Sequence, residues 1–235
     1  MPSLRNLLLG AGLATLLQAV GVAAAPSRSL PSPDIQRDSN CIPRFPAAPP
    51  TLPTTGDATE LPSPAANMTL KFAAVGRGIQ NYTCAASNST PVALGAVATL
   101  FDGTALAGTN EAALNALPAA AVYSPVPTTS LTLHGNTLAM LGHHYFDATG
   151  APTFDLSAFG DLLVGKKIAS VNAPATADSG PAKTGAVAWL QLQDAGGSKG
   201  VSEVYRVVTA GGNPTACTAA GVITVQYAAE YWFYA

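Results

Sequence analysis

Val222-Ile223-Thr224-Val225-Gln226-Tyr227-Ala228-Ala229-Glu230-Tyr231-Trp232-Phe233-Tyr234 decides the fold class. Ile223, Val225, Tyr227, Ala229, Tyr231 and Phe233 alternate with Val222, Thr224, Gln226, Ala228, Glu230 and Trp232, the period of two that sends successive side chains to opposite faces of a strand. The first set reads as a core face. The second carries the polar residues, and Trp232, grouped with Thr224, Gln226 and Glu230, is expected at the surface.

Upstream, Val204-Tyr205-Arg206-Val207-Val208 puts Arg206 on the face of Val204 and Val208, with Tyr205 and Val207 on the other. Both faces of that strand are therefore at least half covered, as in a central strand. The same reading gives strands over 69–75, 78–84, 92–102, 138–147, 163–171, 185–193, 201–210 and 222–234. Gly76-Arg77-Gly78, Gly196-Gly197 and Gly211-Gly212-Asn213-Pro214 read as the turns between them, since glycine accepts positive φ and proline ends a ladder. One short helix is expected over 110–117, stopped by Pro118. The fold class is thus all-β, an antiparallel β-sandwich or jelly roll with one short helix; a partly closed β-barrel is the alternative.

The 235 residues carry 11 Lys+Arg against 13 Asp+Glu and are 48% hydrophobic, too apolar for a disordered chain and without the cationic field that nucleic acid or an anionic membrane attracts. Arg5, the apolar run from Leu7 to Leu17 and Val22-Ala23-Ala24-Ala25 have the pattern of a secretory signal. Residues 1–24 are read as that signal, with no membrane span after its removal. Residues 25–66 are a proline-rich arm or linker, holding ten of the 19 prolines, and extended polyproline segments do not join sheet ladders. A single β domain is expected over 67–235. The sequons at Asn67, Asn81 and Asn88 agree with a secreted, extracellular or cell-wall glycoprotein.

Three cysteines, Cys41, Cys84 and Cys217, suit one disulfide in an oxidising compartment and leave one thiol over. Cys84 with Cys217 is the expected bridge, closing the long loop before the last strand; Cys41 with Cys217, stapling the arm to the domain, is the rival.

Gly76 to Cys84, Gly95 to Asp102, Gly142-His143-His144-Tyr145-Phe146, Val187 to Leu192, Tyr205-Arg206-Val207 through Gly211-Gly212, and Tyr227 to Tyr234 together resemble, in the same order, a family of secreted fungal and bacterial proteins with a domain of unknown function. The fungal branch often has a further cysteine just after its Leu-Phe-Asp segment, where this chain reads Gly103-Thr104-Ala105. That resemblance implies Cys41 as the odd thiol and carries over no catalytic residue. Some fungal relatives bear a malate dehydrogenase name. The sequence speaks against it: Gly76-Arg77-Gly78-Ile79-Gln80-Asn81 lacks the third glycine of a dinucleotide site and enters a strand rather than a helix. No cofactor is expected.

His143 and His144 are adjacent on a strand and face opposite ways, so they do not chelate one metal unless a bulge intervenes, and His134, across a Gly135-Asn136 turn, makes a pair of imidazoles that is incomplete without a carboxylate such as Asp147 or Asp155. No metal site is assigned. His144 with Asp102 or Asp155 is the candidate base and orienter for a small extracellular hydrolase. Trp232, Gln226 and Tyr145 are the candidate contacts of a non-catalytic binding module for polysaccharide or the cell wall. The module is the leading reading, and a carboxylate within reach of His144 in a pocket is the feature that favours the hydrolase.

Overall fold

The computed structural model describes residues 49–235; the leader, the first part of the arm and Cys41 lie outside the described residues. Nine strands follow in the order β1 (Leu70–Cys84), β2 (Val92–Asp102), β3 (Ser130–Leu133), β4 (Asn136–Phe146), β5 (Pro152–Leu156), β6 (Asp161–Val171), β7 (Trp189–Asp194), β8 (Glu203–Gly211) and β9 (Gly221–Tyr234). Between β2 and β3 come α1 (Thr104–Thr109), α2 (Glu111–Asn115) and α3 (Leu117–Ala121). The fold is all-β and antiparallel, as the sequence predicts. The sheet order is β2-β1-β9-β8-β7-β6-β5-β4-β3, and β2 also pairs with β4. Hydrogen bonding therefore runs round a ring of eight strands, with β3 attached to β4 outside it.

Alternation along the strands divides the apolar residues between two clusters. One draws on all eight ring strands and fills the interior, with Leu100, Leu141, Phe154, Leu163, Leu192, Val204, Tyr227, Tyr231 and Phe233 among its members. The other lies on the outer face of β1, β8 and β9, where Val75, Val207, Ala228 and Trp232 pack against Leu114, Leu117, Ala121 and Val122 of the helical segment. Leu52, Leu61 and Met68, preceding β1, pack on the same outer cluster. Burying both faces of β9 accounts for its apolar run from Tyr227 onward.

The structure corrects several local expectations. Gly76-Arg77-Gly78 is not a turn but the middle of the continuous strand β1. Its glycines are there for close approach: a Cβ on Gly76 would lie 2.5 Å from Cε2 of Tyr231, and one on Gly78 would overlap the carbonyl of Val97. The helix expected over 110–117 is part of three short helices. Pro118 does not stop it but begins α3, where a proline's missing N–H leaves no bond unmade. Asn110 caps α2 by accepting from the Ala113 N–H at 3.1 Å. β3 and β5 were not anticipated.

Arg77 fastens the helical segment to the ring. It is buried, and its Nε and Nη2 donate to the Ser124 carbonyl just beyond α3 at 3.0 and 2.8 Å. Its Nη1 donates to the carbonyls of Gly78 and Tyr227 at 2.6 and 3.3 Å. Cys84 and Cys217 are joined, their Cα atoms 5.6 Å apart, which ties the end of β1 to the loop before β9.

Candidate functional site

Towards the end of β1 the inward positions change from glycine and alanine to Gln80 and Tyr82. Facing them across the ring are His144 from β4, Phe154 from β5, Leu190 from β7, Arg206 from β8 and Tyr231 from β9. These side chains line a cavity of about 670 Å³ that opens to solvent. The register of β1 against β2 slips between Asn81 and Tyr82, leaving Leu94 as the extra residue. A bulge of this kind re-aims a side chain, and Leu94, half exposed, lies at the cavity together with Phe146.

His144 is 3% exposed. Its ring stacks on Phe154 with centroids 4.2 Å apart and planes 9° from parallel, and tilts against Tyr231 at 5.8 Å. Nδ1 lies 2.9 Å from the Thr153 carbonyl; a carbonyl only accepts, so Nδ1 carries the proton and Nε2 the lone pair. Burial holds the imidazole down at about 4, against the pull of that hydrogen bond and with the Arg206 charge adding to the effect. His144 is neutral at physiological pH. A neutral ring against aromatic walls suits flat apolar contact better than proton relay.

Arg206 is the charged group of the inner wall. Its Nε and Nη2 donate to the Ala188 carbonyl at 3.3 and 2.8 Å, which fixes the plane of the guanidinium. Lys71 with Asp161 is the salt bridge of the described residues, so Arg206 has no carboxylate partner among them. Gln80 is 6% exposed, and its Nε2 is a buried donor with no acceptor. Tyr231 and Tyr227 share a hydrogen bond at 3.0 Å between their hydroxyls, and burial raises both phenols above the ordinary tyrosine value while the Arg206 charge opposes it. Neither phenol supplies an anion to Arg206. Among the residues lining the cavity there is no Asp or Glu.

The sequence-derived candidates are dispersed. His143 is exposed and His144 buried, in keeping with strand alternation. Asp155 pairs in register with His143, not His144, and accepts from the Ser157 N–H at 2.9 Å. Asp102 accepts from the Thr104 N–H at 2.9 Å, where β2 gives way to α1. His144 is thus not joined by either carboxylate. Trp232, expected at the surface, is fully buried under the helical segment, and its Nε1 donates to Glu230 at 2.8 Å. Gln226 and Tyr145 are exposed, on β9 and β4, which β1 and β2 separate round the ring. Asn67 and Asn88 are exposed and Asn81 half-buried.

Gln80 and Arg206 escaped the sequence reading as site residues, though Arg206 on the face of Val204 was a signal. The face shared with Val208 is broken by a shift between Val207 and Ala210. Val208 has φ +45° and packs against the outer cluster.

Neither the curated proteins nor the solved structures contain a match to this chain. A family model does match, over residues 64–235, from just before β1 through the end of β9. The chain that forms this ring and its cavity belongs to the family described as Protein of unknown function (DUF3455).

Proposed function

We propose that this protein is a secreted, non-catalytic binding module whose ligand is a small, largely apolar molecule held inside the open end of the strand ring. The observation that carries the reading is the cavity itself. Its volume of about 670 Å³ falls in the range of pockets that enclose small ligands, and apolar walls with a few convergent polar groups are what such pockets share. Phe154, Tyr231 and Leu190 supply the walls, and Gln80 and Arg206 the polar groups. The exposed sequons at Asn67 and Asn88 and the Cys84–Cys217 bridge support an extracellular setting.

The competing hydrolase reading needs a carboxylate on the imidazole. His144 instead hydrogen-bonds a main-chain carbonyl and stacks on Phe154. The test is to take the protein from culture medium by gentle purification, search it for retained small molecules by native mass spectrometry, and compare Leu190→Trp, which fills the cavity. A bound molecule in the wild type that is absent from the folded variant is the expected result. Wild type and variant that agree in retained mass, and that show the same thermal response to a panel of small aromatic and aliphatic compounds, overturn the proposal.

A further inference from the structure

Resting on that reading, we infer that the ligand is a singly charged anion, a small aromatic carboxylate whose head meets Arg206 and whose ring lies against His144, Phe154 and Tyr231. Three independent features of the cavity lead there.

The first is charge. Arg206 is partly buried, lacks a carboxylate partner among the described residues, and shares its cavity with Lys167 but with no acidic side chain. A cation kept out of bulk water without a counter-ion favours an anion brought by a ligand. One inner-wall cation balances one negative charge, and Lys167 is exposed, so a single-headed monoanion fits better than a phosphate dianion.

The second is the unmet donor. Buried side-chain N–H groups nearly always have an acceptor, and Gln80 Nε2 has none. Gln80 on β1 is level with Val225 of β9 and Arg206 on β8 is level with Tyr231, so the two line the same cavity at different depths. Both side chains are donors, and the residues lining the cavity include no acidic group to meet either.

The third is shape. His144 and Phe154 present nearly parallel stacked rings, with Tyr231 tilted against both. Flat apolar bodies gain most from such walls. A neutral His144 adds no second charge to the head-group site.

The test uses 1-naphthoate and its neutral isostere 1-naphthamide as calorimetric probes on the full secreted chain. Wild type is expected to bind the acid about tenfold or more tightly than the amide. Arg206→Gln is expected to bring the two affinities within about threefold, and Arg206→Lys to retain the preference for the acid. Equal binding of acid and amide by the wild type, a comparison needing no variant, overturns the anion inference. If Leu190→Trp also abolishes that equal binding, the cavity reading survives it. Absence of binding of either probe to folded wild type at millimolar concentration overturns both. A preference for the acid that persists in folded Arg206→Gln removes Arg206 from the role and overturns the inference as drawn.

Discussion

Glu230 Oε2 accepts the indole N–H of Trp232 at 2.8 Å, a bond between two side chains that leave the same face of β9 and are both fully buried. The Asn115 side-chain amide lies 2.9 Å from Glu230 Oε1. Burial raises the Glu230 carboxyl from 4.5 to about 8, with the Trp232 hydrogen bond opposing and Glu111 adding to the rise. The folded protein therefore holds a proton that the unfolded chain releases near pH 4.5.

That difference sets a pH dependence. The stabilisation is complete below pH 4.5 and is lost as pH climbs to about 8, by at most about 1.4 kcal/mol per pH unit. Glu230→Gln keeps an acceptor for Trp232 and has no charge to bury. Chemical unfolding from pH 4.5 to 8 should show the variant gaining on wild type throughout. A stability difference that stays constant over that interval contradicts the assignment.

Trp232→Ala removes one of the largest buried side chains of the outer cluster and leaves Glu230 without its donor. A loss of about 3–5 kcal/mol is expected from the cavity alone, read as a fall in the urea midpoint. Unchanged stability would return Trp232 to the surface position that alternation suggested.

The Cys84–Cys217 bridge spans 133 residues of sequence. Restricting a loop of that length in the unfolded chain stabilises the fold by about 2–5 kcal/mol. Replacing both cysteines with serine should lower the melting temperature markedly, and adding reductant to that double variant should change nothing more. Equal melting of wild type and double variant contradicts the expectation.

Gly78 and Gly108 should respond oppositely to alanine. A Cβ at Gly78 meets the Val97 carbonyl and Ala98, whereas one at Gly108 in α1 meets nothing within 4 Å. Gly78→Ala is expected to cost about 3 kcal/mol or more through overpacking of β1 against β2. Gly108→Ala should stabilise by up to about 1 kcal/mol as helix propensity improves. Thermal melts of the two variants, run side by side, decide it.

Local periodicity carried the strand content well because it depends only on neighbours along the chain. The alternation of β9 and the opposite facing of His143 and His144 both follow from it. What it does not encode is which face a distant segment will cover. Trp232 shares a face with exposed Thr224 and Gln226, and it is buried in a cluster to which α2, α3 and the segment before β1 contribute. Gly76 and Gly78 looked like a turn for the same reason, since their partners Tyr231 and Val97 are remote in sequence. The cavity needs side chains from all eight strands of the ring, and Arg206 acquires its meaning only once those strands surround it.

Pairing of β2 with β4 has a consequence for behaviour at high concentration. An open sheet exposes rows of unmet amides and carbonyls that recruit further chains into aggregates. Here the circuit closes where Ala98–Phe101 of β2 pair with Met140–His144 of β4, which leaves only the start of β2 unpaired on that side, and the outlying β3 is only four residues long. At high concentration the folded ring offers little template for fibril growth.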